Sequence, residues 1–437
     1  MKGKKVIIVG SGIGGLTAGH WLQKKGYQVE LFEALDRSGG RIALLERENG
    51  DRVDAGAEFF HSNYSHVFKL IKEFGLTSSL RKADGKSIFK FSDGTQTEFS
   101  DNTIYSKGLS ILDHLKLGWF VCKYIILSKR AKLFNIQENR PEWDQISLAD
   151  LFNKPGDKKV KELLIGIAKT GNNCEPEWIS LFHLIQLIRI VMFTRFSVLR
   201  GGTASLSNAI ADTLNITYNT PVKSVVMRSG KVTGVELPDG RIEEADHVIV
   251  ATTPFAAKKL LPTQLSEQKA FFESIPQTPL PKPFFFLNRP LNKEVWSYFN
   301  KPGEARLFGF AVDEAMKCPD MVPSGNSVLR AYACYPRSLE LKDYSDEKIL
   351  ELALKDLEDM IPGVSEWVEE SKVFWHYRGG LAHYPVGAYG KIVEFKEKAK
   401  QLKGISFVSD YFGGSYIEGA MESANDAVKR ICQLQAS

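Results

Sequence analysis

Several catalytic signatures are missing from this 437-residue sequence. It contains no H-E-x-x-H, no G-x-S-x-G and no Walker phosphate loop, which sets aside metalloprotease, α/β-hydrolase and nucleoside-triphosphatase chemistry. Cysteine is sparse: five residues, at 122, 174, 318, 334 and 432, with no C-x-x-C pair and no cluster spaced for a metal. That pattern excludes a disulfide scaffold and predicts a reduced, cytoplasmic protein without a metal site. Charge of one sign is also lacking. A net charge of +5, with the basic residues scattered, gives nucleic-acid binding no support. The first apolar strand starts almost at the N-terminus, leaving no room before it for a signal peptide.

Long hydrophobic runs are absent too. Trp178 to Phe193 is too short for a membrane span and carries His183, Gln186 and Arg189. Leu115 to Phe134 is broken by Lys116, Lys123, Lys129, Arg130 and Lys132. Both are expected to be helices packed on one another or lining a pocket. A helix lying on an anionic lipid surface is the lesser reading.

The chain is long enough for about two or three domains. Its hydrophobic content of 43% and charged content of 25% are ordinary for a globular protein. The first forty-odd residues organise it. Lys5 to Val9 is a β-branched apolar run that stops at Gly10, and Ile13 to Lys25 follows with helical character. Gln28 to Phe32 is a second strand, ending at the acid Glu33. Gly10, Gly12 and Gly15 occupy the three glycine positions of G-x-G-x-x-G, with Ser11, Ile13 and Gly14 between them. In such a βαβ unit the glycines serve the tight turn, the approach to a pyrophosphate and close helix–strand packing. The terminal acid accepts from a ribose diol.

Glu33-Ala34-Leu35-Asp36-Arg37-Ser38-Gly39-Gly40-Arg41 resembles the E-A-x-x-R-x-G-G-R signature of the flavin-containing amine oxidase superfamily. That superfamily includes monoamine and polyamine oxidases, protoporphyrinogen oxidases and phytoene-desaturase-like enzymes. The resemblance implies FAD rather than NAD, with Arg37, Gly40 and Arg41 facing the pyrophosphate. Asp54 to His61 matches the superfamily's D-x-G-A segment. It implies that Gly56, Ala57, Glu58 and Phe59 run past the flavin and that His61 borders the substrate. Val222, in the strand expected at Pro221 to Val225, holds the place of a valine that packs on adenine. Near the C-terminus, an apolar strand from Ile405 to Ser409 precedes Asp410, and Tyr416 to Ala420 resembles the motif G-Y-M-E-G-A. The resemblance places Asp410 on the ribitol, and Ile417 and Ala420 at the flavin's pyrimidine end.

Lys282, in a stretch resembling K-x-x-x-x-F-x-R-P, matches the lysine that holds a water near flavin N5, although Pro281 and Pro283 flank it. Tyr416 aligns with one wall of the aromatic cage of amine oxidases. The other wall falls in Tyr377 to Pro385, resembling Y-S-G-G-C-Y, where Leu381 replaces the flavinylated cysteine and Ala382 the second tyrosine. Noncovalent FAD follows, with a pocket including Tyr377, Ala382, His383 and Tyr384. The same stretch resembles the P-Q-Y-P-x-G of protoporphyrinogen-oxidase-like members.

The expected fold is α/β. A Rossmann-like FAD domain is assembled from residues 1–86, 198–271 and 391–437, and a discontinuous α+β substrate domain from 87–197 and 272–390. The expected activity is oxidation of a small molecule, a CH–NH substrate first and a carbon–carbon desaturation second, with O2 or another acceptor taking the electrons.

Overall fold

The structure is a computed structural model that describes residues 3–83, 85–99, 108–126, 133–134, 142–191, 194–279, 281–300, 306–376 and 380–436. Tyr377 lies outside the described residues. Its central feature is a five-stranded, wholly parallel sheet. Across the sheet the strands run Ile216–Thr217, Gln28–Phe32, Lys5–Val9, His247–Val250 and Ile405–Phe407. Numbered by chain position, that order is 3-2-1-4-5, the doubly wound arrangement. Its ligand crevice opens at the carboxyl ends of the strands where the order reverses, between Lys5–Val9 and His247–Val250.

Alternation along the first strand sets the two layers. Val6 and Ile8 enter the core shared with the helices Ile13–Gln23 and Ile417–Ala436. Ile7 and Val9 point the other way, into a core containing Val248, Val250 and the helix Ala388–Ala399. A parallel strand buried on both faces has no polar side, which explains the uninterrupted run Val-Ile-Ile-Val. The helix Ala388–Ala399 also runs straight through the domain boundary expected at 390/391.

A seven-stranded sheet forms the second layer system, in the order Val368–Trp375, Pro281–Leu287, Val328–Ala333, Phe308–Asp313, Val295–Phe299, Lys86–Lys90 and Gln96–Phe99. All neighbours are antiparallel except Val295–Phe299 with Lys86–Lys90. The helix Asp346–Met360 packs on it, with Ser345 accepting from the Lys348 N–H as its N-cap. The last two strands form a hairpin through Ser92-Asp93-Gly94, where Gly94 takes a positive φ of 84°.

Pro281 and Pro283 lie inside a fully buried strand, contrary to the usual edge position of strand prolines. Parity explains it. The Leu287 N–H donates to the Ser327 carbonyl, so odd-numbered residues of this strand aim their amide nitrogens toward the strand Val328–Ala333. That ladder begins only at Phe284, paired with Arg330. No ladder bond is therefore missing where the prolines have no N–H to give.

Several boundaries differ from the sequence expectation. The first helix stops at Gln23, because Gly26 turns the chain at φ 86°. Between the parallel strands Ile216–Thr217 and His247–Val250 the chain forms three antiparallel strands, Ser224–Arg228, Lys231–Glu236 and Ile242–Glu244. Val222 precedes the first of these strands rather than sitting in it. The fifth parallel strand ends at Phe407, and Asp410 opens a short 3-10 turn. Among the described residues, no helix is long and apolar enough to cross a membrane.

Glu418 ties the last helix to the body. One carboxylate oxygen accepts from the Ser65 hydroxyl and the His66 N–H (2.9 and 2.8 Å), and the other accepts from the Val67 N–H (3.0 Å). It thereby satisfies the free amides that open the helix Ser65–Glu73 from another part of the chain. Glu418→Ala should leave buried donors unpaired and lower unfolding stability by about 2–4 kcal/mol. Urea unfolding of the variant beside the parent checks this, an unchanged midpoint being the contrary result.

Candidate active site

The glycines of the opening motif divide into two kinds. A Cβ on Gly15 would lie 2.1 Å from the Gly10 carbonyl oxygen, and one on Gly10 would lie 2.7 Å from that of Ala251. Gly14 faces Val408 at 2.8 Å and Gly56 faces the Arg41 carbonyl at 1.7 Å. These four permit close approach within the protein. Gly12 is different: a Cβ there would meet nothing within 4 Å. It is the N-cap of Ile13–Gln23, has no capping side chain, and no acid stands in that helix's first turn. Space, free amide donors and the positive helix end coincide at one point, which fits a pyrophosphate.

The second glycine pair comes to the same place. The Gly39 N–H donates to the Ser11 carbonyl at 2.9 Å, and a Cβ on Gly40 would stand 3.3 Å from the Gly12 Cα. Arg37 holds this loop together from inside, its guanidinium donating to the carbonyls of Ser38, Gly40 and Ile42 at 3.0–3.1 Å. Carbonyl partners leave its net charge in place beside the glycine turn. Arg41 instead makes a two-pronged pair with Asp410, at 2.9 and 2.6 Å, so these two expected cofactor residues grip each other.

Glu33 is buried at the end of Gln28–Phe32. One of its oxygens accepts from both the N–H and the hydroxyl of Ser11 at 2.8 Å, and the other accepts from the Leu35 N–H at 2.9 Å. The carboxylate is thus pre-oriented beside the turn, with lone pairs remaining for a diol. Ala34 is half-buried next to it. Ile13, Ile417 and Ala420 are buried together between the first and last helices, and Val222 is half-buried against the opposite core.

Lys282 lies inside the strand Pro281–Leu287, only 6% exposed, and its Nζ donates to the Gly56 carbonyl at 3.1 Å. Burial pushes its pKa down to about 7. Lys317 and Arg41 push the same way, against the pull of Glu314 and Asp54. His376, which the sequence reading did not single out, reaches the adjacent Ala55 carbonyl at 3.0 Å. Desolvation first, and Lys282 second, hold it neutral well below the ordinary histidine range. Two buried, deprotonatable nitrogens thus converge on consecutive carbonyls of the 54–61 segment.

Beneath them is a cluster of buried charge. Glu58 accepts from Lys317 Nζ at 2.6 Å, from Arg330 and from the Tyr332 hydroxyl, while Glu314 pairs with the same lysine and arginine. Glu58 lies in the segment expected to run past the flavin, and its carboxylate is committed to this cluster. Phe59 packs edge-on against Phe196 and Trp296 with Lys317 over its ring, and Ala57 is half-buried against the first core.

The expected substrate-pocket residues fall into two groups. Tyr416 is packed edge-on against Phe134 at 6.1 Å between ring centres, and its buried hydroxyl has no hydrogen-bond partner. His61 is buried between Tyr64 and Phe196 with Nδ1 3.4 Å from the Thr194 hydroxyl, and desolvation lowers its pKa to about 3. On the other side, Ala382 and Tyr384 are buried, and the Tyr384 hydroxyl donates to the Tyr411 carbonyl at 2.9 Å. Tyr384 is stacked between His183 (4.1 Å) and Tyr411 (4.7 Å). His383 bonds the Thr278 hydroxyl through Nε2, stacks on Tyr335, and keeps a buried Nδ1 without a partner.

Comparison with known proteins identifies the family. The family described as flavin containing amine oxidoreductase matches residues 13–432. The chain belongs to it. Its cofactor is FAD and it is an oxidoreductase. The chain is 24% identical to 15-cis-phytoene desaturase of Solanum lycopersicum, over 98% of this chain and 78% of that one. It is equally 24% identical to amine oxidase [flavin-containing] A of Sus scrofa, over 98% and 84%. The solved structure of putrescine oxidase bound to putrescine has the same fold, with a TM-score of 0.79 at 17% identity over 98% of this chain and 99% of that one. The oxidoreductase family is therefore established, and desaturase and amine oxidase resemble the chain to the same degree.

The two kinds of glycine should separate on substitution. Gly12→Ala should fold normally, because its Cβ meets nothing, yet bind FAD at least about 10-fold more weakly. Gly15→Ala should lose thermal stability even without FAD, because its Cβ collides with the Gly10 carbonyl. Thermal melting and FAD titration of both apoproteins measure the contrast; equal behaviour would contradict it.

Proposed function

We propose that this protein is an FAD-dependent amine oxidase that passes a hydride equivalent from a substrate CH–NH unit to flavin N5, with O2 receiving the electrons. FAD, when bound, supplies the two-electron acceptor. The open turn over Gly12, the Gly39–Gly40 pair, the charge of Arg37 and the oriented carboxylate of Glu33 would hold its dinucleotide. Asp410, Ile417 and Ala420 at the opposite end of the chain would meet its flavin half.

One observation carries the reading: Lys282 is a buried amine with a pKa near 7, fixed to a carbonyl of the segment assigned to the flavin. A neutral Nζ can accept a hydrogen bond as well as donate, so it can hold a water in place and move a proton. A charged one only donates. The surrounding groups favour a neutral substrate: His61, His183 and His383 are all kept uncharged by desolvation, each with a pKa near 3. An amine would bind here unprotonated, against the ring of Tyr416. Burial excludes water, so the protein's main contribution would be orientation of the donor carbon.

A second reading is favoured by one feature of the pocket wall. Position 382 is a buried alanine and Tyr384 is locked to Tyr411, leaving Tyr416 as the only tyrosine of the expected cage with an unpartnered hydroxyl among the described residues. The helix Leu181–Val191 beside it is buried and largely apolar. Such a wall suits a carbocycle or polyene undergoing desaturation.

Anaerobic mixing with primary and secondary amines, porphyrinogens and polyenes separates the two: bleaching of the flavin by amines alone is expected. Lys282→Met should slow that reduction by about 10–1,000-fold. The wild-type rate should rise as pH increases through about 7, where Lys282 loses its proton. The variant should lose that inflection while keeping any belonging to the substrate. Bleaching by a polyene or porphyrinogen and by no amine would favour the second reading.

With Leu381 at the position of the flavinylated cysteine, heat or acid precipitation should release FAD into the supernatant. Yellow colour remaining with the pellet would contradict noncovalent binding.

A further inference from the structure

The helix Ile111–Phe120 has two apolar faces, of which the protein covers one. Phe120 and Tyr124 are buried in the core formed with Lys158–Asn172 and Leu181–Val191. On the outer side, Ile111 is 81% exposed, Leu112 59%, Leu115 66% and Trp119 53%, and Ile126 just beyond is 48% exposed. Ile111, Leu115 and Trp119 follow one another every fourth residue, with Leu112 beside them, so they occupy an arc of roughly 100°. Gly118 borders the arc, and a Cβ there would touch nothing. Leu115 to Phe134 is expected to pack on the other helix or line a pocket; Phe120, Tyr124 and Ile125 do pack in that core, a second apolar side faces water, and residues 127–132 lie outside the described residues.

Large apolar side chains are often exposed singly, but four on one face of a helix with a fifth just beyond it make a docking surface. Charge indicates what docks. Residues 108–134 contain Lys116, Lys123, Lys129, Arg130 and Lys132 against a single carboxylate, Asp113. Asp113 is buried, closing the capping box with Ser110. Lys116 is committed to Asp157 at 2.6 Å. Lys123 lies over the rings of Trp119 and Tyr124 at 4.8 and 4.9 Å, its cation at the edge of the apolar arc. An exposed face of Ile, Leu and Trp, bordered by Lys123 and, among the described residues 108–126, by no exposed acid of its own, suits the boundary between acyl chains and anionic headgroups. A second copy of the chain is a poorer fit, because like-charged rims would meet. A five-residue face also falls short of the about 800 Å² per partner that a stable dimer buries.

We propose that this helix seats the enzyme on the surface of an anionic lipid bilayer. Ile111, Leu112, Leu115, Trp119 and Ile126 enter the acyl boundary, and Lys123 reaches the headgroups. The helix lies in the interface and does not span it. This holds whatever the enzyme oxidises.

The test uses FAD-loaded full-length enzyme and sedimented vesicles, either pure phosphatidylcholine or containing about one-third phosphatidylglycerol. The enzyme should sediment with the anionic vesicles, weaken as salt rises, and bind pure phosphatidylcholine at least 10-fold less. Leu115→Glu/Trp119→Glu should reduce anionic binding at least 10-fold while flavin content and turnover of a soluble substrate stay at parental level. Brominated lipids should quench tryptophan emission in the parent and much less in Trp119→Phe, a variant that preserves the ring and tests folding-neutral placement. No sedimentation at low salt would overturn the proposal. So would self-association abolished by the double substitution without any vesicle binding, which would make the face a contact between copies.

Discussion

The pair between Arg41 and Asp410 joins the two ends of the chain, 369 residues apart, at 2.9 and 2.6 Å. Arg41 closes the second glycine turn, and Asp410 follows the last strand of the parallel sheet. A bidentate arginine–carboxylate contact fixes orientation as well as distance. It therefore registers the N-terminal dinucleotide turn against the C-terminal helix that begins at Ile417. Glu418, eight residues after Asp410, repeats the theme by clamping that helix to the opening of Ser65–Glu73. Both halves of the proposed cofactor site are held by long-range charge-assisted bonds.

The second constraint is the buried charge under Lys282. Removing a charge from water is costly unless it is paired, and Glu58, Glu314, Lys317 and Arg330 offset one another. Lys282 stands next to this group without a carboxylate of its own; its hydrogen bond goes to a backbone carbonyl. That difference leaves desolvation dominant and its proton loosely held. A lysine paired inside the cluster would stay charged, and could not alternate between donor and acceptor near neutral pH.

Local patterns in the sequence carried much of this. The strand–glycine–helix–strand–acid order of residues 5–33 needs only neighbours a few positions away, and the structure follows it to within two residues at Gln23. The helix capped by Ser345 and the hairpin at Gly94 rest on equally local signals, a serine ahead of an amphipathic run and an Asp-Gly turn. Side-chain partners chosen across the fold do not. Glu58 meets residues more than 250 positions away, and Tyr384 turns to Tyr411 because His183 stacks on its other face. His376 carried no motif at all; only the register of Val368–Trp375 against Pro281–Leu287 brings it beside Lys282. The prolines around Lys282 misled in the other direction, since nothing local reveals on which side of a strand the ladder ends.

The strand order of the parallel sheet bears on how the protein is made. His247–Val250 has one neighbour near the N-terminus and the other, Ile405–Phe407, almost at the end of the chain. During synthesis its outer edge stays unpaired until residues 405–407 have left the ribosome. Such a delayed, non-local closure makes assembly slow and exposes an apolar strand edge meanwhile. Truncation near the C-terminus would thus remove more than a terminal helix: it would strand a half-built sheet with a sticky edge, a natural target for chaperones.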